Sequence, residues 1–264
     1  MILNLYQYIF SFKAKKYKIL IFEDCCEAHG ASIDKKLVGS WGNISAFSFF
    51  VAHNMTTGEG GMILTDNDEI AIKCRSLREF GRYNDSSSES GIFYNDKILK
   101  DYDKRYVFSE VGYNMRMTDI CGALGIEQLK KLDDMNFKRK INAIYLNKII
   151  KSTFSNYFEL PFVPDKYEHS YYTFSLTLTN KCQFTRRELC EHLENNNIET
   201  RPMMAGSLPD QPGLRGKPSR IQGTLKNSRY IRDKTLFIGI HPMVTKKHID
   251  YLVQVIKEFI LNNE

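Results

Sequence analysis

The chain has 264 residues, 42% apolar and 26% charged, and its 37 basic and 31 acidic side chains leave a net charge of +6. A disordered chain would hold fewer large apolar residues, and 16 glycines with 7 prolines exclude a collagen-like or mucin-like one. The positive excess lies in short runs such as Lys13-Ala14-Lys15-Lys16 and Lys138-Arg139-Lys140, without interleaved aromatics, so nucleic acid is not an expected partner.

The six cysteines form no Cys-x-x-Cys pair, which argues against both a disulfide scaffold and a metal site. Residues 1–12 are uncharged and fairly apolar, but too short to span a bilayer, and they lack the flanks of a signal peptide. With no other candidate span, no membrane association is expected and the cytoplasm is the expected location.

In chain order, the apolar run Lys18–Phe22 stops at Glu23-Asp24 and predicts a central parallel strand buried on both faces. Ala46–Phe50 and Met62–Leu64 predict two further strands after glycine-rich turns. Residues 67–80 read as a helix capped by Asn67 and stopped at Gly81, and 83–105 as a long polar loop containing Ser86-Ser87-Ser88. From Thr118 to about Ile150 the pattern is helical, with Leu124, Leu129 and Leu132 on a common side. It predicts one long helix, or two with a break near Asp133-Asp134.

Pro161 and Pro164 mark a linker, after which Tyr172–Leu178 alternates as a strand does. A capped helix over 185–196, a strand over 198–201, a Gly/Pro-rich loop over 202–223, a strand near 236–238 and a helix from Thr245 to about Leu261 complete the chain. The expected organisation is a parallel α/β domain over 1–150 and a smaller α+β domain over 151–264.

Two segments carry chemistry. Asp24 ends an apolar strand, where open α/β sheets place ligand-binding groups, and its carboxylate suits a cationic ring nitrogen; a turn or cap aspartate fits the same position. His29, in the same segment, reads as a packed imidazole. In Ser45–Gly61, the Ser48 hydroxyl suits a phosphate oxygen, His53 suits a base near neutral pH, and Gly58, Gly60 and Gly61 permit close backbone approach. A plain glycine-rich turn between strands accounts for the second segment equally well.

Taken together, Asp24, Glu27, Ser48, His53 and Gly58-Glu59-Gly60-Gly61 resemble the DegT/DnrJ/EryC1/StrS sugar aminotransferase family. Gly112-Tyr113-Asn114-Met115-Arg116-Met117-Thr118-Asp119, then Ala123-Leu124-Gly125 and Gln128-Leu129, resemble a second signature of that family, and Arg201–Ser207 its substrate loop. The resemblance implies the fold of aspartate aminotransferase (fold type I) with pyridoxal 5'-phosphate or pyridoxamine 5'-phosphate as cofactor. It implies Asp24 on the ring nitrogen, Glu27 on the ring or its hydroxyl, and Ser48 on the phosphate. Asn114 would reach the phosphate of a partner subunit in a homodimer, and Arg201 and Ser207 would lie on the substrate side.

At the position of His53 the family's aminotransferases carry the lysine that bonds the cofactor. Histidine there resembles the 3-dehydratase branch, in which the histidine is the acid/base for removal of the C3 hydroxyl from a nucleotide-linked 4-keto-6-deoxyhexose. Residues 82–120 contain no cysteine, so no iron–sulfur cluster is expected. That favours regeneration of the cofactor by L-glutamate, although Arg201–Gly206 and Gly239–Pro242 resemble the cluster-bearing subgroup somewhat more. A nucleotide-sugar aminotransferase is the alternative. So is a catalytically deficient fragment or dimer partner with an incomplete large domain, because Met1 stands only 23 residues before Asp24 and no Ser-Gly-Ser/Thr-type phosphate turn lies between.

Overall fold

The computed structural model describes residues 13–83 and 93–263. The apolar segment 1–12 and the serine run at 86–88 lie outside the described residues. The chain divides into two units between Leu132 and Asp133. The boundary expected at 150/151 falls inside a helix, Leu132–Thr153, whose Ala143, Leu146 and Ile150 are buried in the core of the second unit. That burial is why the division comes earlier.

The N-terminal unit holds a three-stranded sheet: β1 (Phe22–Asp24), β2 (Ile44–Ser48) and β3 (Gly61–Leu64), in that order. β1 and β2 are parallel, with Asp24 opposite Ala46. β3 is antiparallel to β2, with Ser48 opposite Gly61, which corrects the expected all-parallel arrangement. The connection over 49–60 is a series of turns, whereas a parallel return needs a crossover, usually a helix. β1 is also not buried on both faces. Among the described residues it has one strand neighbour; Glu23 is buried and Phe22 is exposed.

The helix expected at 67–80 is α1, Asp68–Arg78, and Asn67 Oδ1 accepts from the Ile70 N–H at 2.9 Å as its N-cap. Asp68 and Glu69 in its first turn and Arg75 and Arg78 in its last suit the helix dipole. It ends before Gly81, which has φ +83° and lies so close to Glu110 and Gly112 that a Cβ would overlap their backbone. This contact fixes the segment that follows Gly112.

Next come α2 (Asp119–Leu129), with Thr118 as N-cap, and α3 (Leu132–Thr153), so the helical region breaks at Lys130-Lys131. Leu132 is buried, but Leu124 and Leu129 are exposed, so the expected common side is not a core face.

In the C-terminal unit, β4 (Phe158–Glu159), β5 (Thr173–Leu178), β6 (Thr200–Pro202) and β7 (Thr235–Gly239) form an antiparallel sheet of order β6-β7-β5-β4. β5 buries Phe174, Leu176 and Leu178, as its alternation predicts. α4 (Arg186–Asn195) starts with a capping box between Thr185 and Glu188, and α6 (Lys246–Leu261) buries an apolar stripe that includes Ile249, Leu252 and Ile256. A further helix, α5 (Lys226–Lys234), falls just beyond the expected loop and was not anticipated. Leu225 precedes it in the left-handed region and supplies no side-chain cap, so no start signal marks it. Among the described residues no helix is long and apolar enough to cross a membrane.

Candidate active site

Parallel pairing brings the C-terminal ends of β1 and β2 side by side, and the candidate residues gather there. Asp24 is the last residue of β1, and the next N–H, of Cys25, donates to Ala46 O at 2.9 Å. Asp24 Oδ1 accepts from the Cys26 N–H at 3.2 Å. Ser48 ends β2, and its Oγ accepts from the Phe50 N–H at 3.2 Å. A tight turn follows, in which the His53 N–H donates to Phe50 O at 3.0 Å.

That turn folds the imidazole back toward β2. His53 Nδ1 lies 3.4 Å from Ser48 O, and Nε2 lies 3.9 Å from Glu27 Oε1. A carbonyl can only accept, so the Ser48 contact favours the tautomer with its proton on Nδ1 and leaves the Nε2 lone pair as a base. Burial lowers the His53 pKa below its usual 6.5, against smaller raising effects of the Ser48 carbonyl and the Asp24 charge. Burial, then the Asp24 charge, raises the Glu27 pKa. The site therefore pairs a neutral imidazole with a carboxyl that holds its proton more readily than usual.

The adjoining turn is tied to the motif after Gly112. Gly60 has φ +152°, and a Cβ there would lie 2.8 Å from Met117 Sδ. The Thr56 N–H donates to Gln128 Oε1 on α2 at 3.3 Å.

Two residues support the site without having been singled out for it. Glu23, buried beside Asp24, accepts from the N–H groups of Gly39 at 2.8 Å, Trp41 at 2.7 Å and Gly42 at 2.5 Å. His29 is 4% exposed, with its ring against Phe47 and Phe49, and burial, then the nearby His53, pushes its pKa down to about 4. It is the packed imidazole that the sequence suggests. The neighbouring thiols are no nucleophiles near neutral pH: burial first, then the adjacent carboxylates, pushes Cys25 up to about 12. Burial, then Asp24, pushes Cys26 up to about 11.

The structure thus brings Asp24, Glu27, Ser48 and His53 together. Asn114 lies elsewhere in the same unit, exposed and bridged to Glu79, with no hydrogen bond to those four. Arg201 and Ser207 belong to the C-terminal unit. Arg201 pairs with Glu199 and donates to Thr200 O at 3.3 Å, while Ser207 is buried.

Residues 12–257 match the DegT/DnrJ/EryC1/StrS aminotransferase family. The chain belongs to that family. Among curated relatives it is 34% identical over 253 residues to the lipopolysaccharide biosynthesis protein RfbH of Salmonella typhimurium, covering 93% of this chain and 58% of that protein. It is 34% identical over 201 residues to the GDP-perosamine synthase of Vibrio cholerae, covering 74% of this chain and 48% of the synthase. Among solved structures, the E. coli GDP-4-keto-6-deoxy-D-mannose-3-dehydratase with bound hydrated PLP superposes with a TM-score of 0.80 at 30% identity, over 92% of this chain and 61% of that one. The chain therefore spans less than two thirds of the length of these members. Their fold is its fold, a mixed α/β arrangement of the aminotransferase type.

Proposed function

We propose that the chain acts in the 3-dehydration of a nucleotide-linked 4-keto-6-deoxyhexose, with pyridoxamine 5'-phosphate or pyridoxal 5'-phosphate as cofactor. The observation that carries this reading is His53. At the position where the family's aminotransferases carry lysine, this chain has an imidazole whose pKa is lowered by burial, with Nε2 3.9 Å from Glu27 Oε1 and within reach of the Asp24 field. The likeness to the E. coli dehydratase supports the same branch.

The donor set fits the cofactor. Asp24 accepts from the Cys26 N–H through Oδ1, its carboxylate could also accept from a ring N–H, and its charge would hold that proton in place. Glu27, with its raised pKa, can share a proton with a ring hydroxyl. Ser48 Oγ accepts from Phe50 and keeps its own O–H to donate to a phosphate oxygen. When bound, the cofactor supplies an electron sink conjugated to the sugar carbon. With the cofactor held there, His53 Nε2 would be the acid/base that accepts a carbon-bound proton and delivers a proton to the C3 hydroxyl as it leaves as water. His53 cannot tether the cofactor covalently as a lysine would.

Asn114, Arg201 and Ser207 remain candidates for a partner's cofactor phosphate and for the sugar nucleotide. The reading includes a homodimer in the cytoplasm, with L-glutamate as amino donor.

The test is titration of pyridoxamine 5'-phosphate into the purified chain, followed by assay on GDP- and CDP-linked 4-keto-6-deoxyhexoses with glutamate present. Saturable binding and loss of the C3 hydroxyl are expected. A His53→Lys variant should lose dehydration and gain a covalently held cofactor. Full dehydratase activity in that variant, or no cofactor binding at millimolar concentration, would sink the proposal.

A further inference from the structure

Gly125 and Gln128 stand in the helical signature that follows Thr118, and neither has a part in the chemistry assigned so far. They lie three residues apart, so α2 presents both on one face. That face meets the connection 49–60, which carries His53.

The connection closes on itself around Phe49. The Phe49 N–H donates to Gly60 O at 2.8 Å, and Phe49 O accepts from the Thr57 N–H at 3.0 Å and from Thr56 Oγ1 at 3.1 Å. Thr56 Oγ1 also accepts from the Gly58 N–H at 2.9 Å. Asn54, Met55 and Thr57 are buried, so the stretch after His53 shifts as one piece.

Three contacts seat this piece on the segment 117–128. The Thr56 N–H donates to Gln128 Oε1 at 3.3 Å. A Cβ on Gly125 would stand 3.2 Å from Thr57 Cγ2, tighter than an ordinary carbon contact, so the missing side chain sets how deeply the threonine sits. The Gly61 N–H donates to Met117 Sδ at 3.4 Å. Gly122, one turn before Gly125, would meet nothing within 4 Å, so the close approach lies toward the end of α2.

His53 is three residues from Thr56, and its own N–H is held by Phe50 O, so its ring follows the turn. We propose that Gln128 and Gly125 are positioning residues for His53, through which α2 sets the depth of the turn and the place of the imidazole against Ser48 and Glu27. The catalytic use of that placement rests on the functional reading above.

The test uses the full chain labelled at histidine Cε1 for NMR, with the His53 resonance assigned through His53→Asn, and it needs neither cofactor nor substrate. Gln128→Leu keeps the bulk and removes the acceptor. It should speed amide exchange at Thr56 by about tenfold, the loss of one hydrogen bond, and move the His53 titration midpoint up toward 6.5 as water reaches the ring. Gly125→Ala should move that midpoint the same way while the thermal midpoint holds or rises, because alanine favours the helix. Gly122→Ala adds the same methyl where there is space for it and should leave His53 as it is. Asp24, Glu27 and His29, the titratable groups beside the ring, are unchanged in all three. An unmoved midpoint in either Gln128→Leu or Gly125→Ala, or an equal displacement in Gly122→Ala, would overturn the proposal. In dehydration, Gln128→Leu and Gly125→Ala should lower kcat by about tenfold or more with KM little changed. Displaced His53 midpoints in the variants of a parent chain that does not dehydrate would sink the dehydratase reading alone. A dehydrating parent whose variants leave His53 unmoved would sink the positioning role alone.

Discussion

The two units keep their apolar side chains in opposite ways. In the C-terminal unit Leu146, Ile150, Leu176, Leu193, Leu236 and Ile256 are fully or almost fully buried in one continuous core. In the N-terminal unit Ile120, Leu124, Ile126 and Leu129 of α2 are all more than half exposed, and so are Phe22 and Met62 of the sheet. Each leucine buried in full contributes roughly 1.5–3 kcal/mol, so stability concentrates in the C-terminal unit. The candidate catalytic groups sit in the other one, where short strands, turns and a helix end are held by polar contacts such as those of Glu23, Thr56 and Asn67. Chemistry and cohesion are carried by different parts of the chain.

That contrast can be broken most directly at His53. His53→Asn should lower dehydration by about 10²–10⁴-fold, the usual worth of a positioned acid/base, while leaving the urea midpoint nearly unchanged. A large fall in the midpoint would mean that the site side chain is also structural.

Leu176→Ala, in the fully buried core, should cost about 2–5 kcal/mol by chemical denaturation. Leu124→Ala, at a position 51% exposed, should stay within about 0.5 kcal/mol. Equal costs would abolish the distinction between the units.

His29 sharpens the contrast through pH. Its pKa is about 4 in the folded chain, below the ordinary 6.5. The unfolded chain therefore binds more protons between those values. The stabilisation is fully present above pH 6.5 and is lost as pH falls toward about 4, on the order of 3 kcal/mol in all. His53 acts in the same direction. Stability measured against pH should be flatter over that window in His29→Phe; identical slopes would contradict the burial of a neutral imidazole.

A modest effect is expected at a helix end. Thr185→Ala removes the capping box of α4 and should cost about 1 kcal/mol, seen as a lower thermal midpoint.

Much of this was legible in the sequence, for identifiable reasons. β5 is read from its alternation because one face is buried and the other is not. α1 and α4 are read from Asn67 and Thr185 because capping is a local property. Asp24, Glu27, Ser48 and His53 lie in two contiguous segments, either of which alone also fits a plain turn, and it is the family resemblance of the two together that singles them out. The direction of β3 was not legible, since Met62-Ile63-Leu64 is equally apolar in a parallel or an antiparallel strand. α5 was hidden because its start depends on a left-handed Leu225 rather than on a capping side chain. Glu23 was hidden because its partners are backbone N–H groups 16 to 19 residues away, which no residue type announces.

Glu23 has one more consequence. Three N–H groups of the 39–42 turn converge on its carboxylate, so the turn is an anion receptor whose guest is tethered to β1. Shortening that guest to alanine would leave the receptor facing a void about the size of a small carboxylate. Added formate or acetate should then restore part of what Glu23→Ala removes, and the turn beside Asp24 becomes open to chemical rescue.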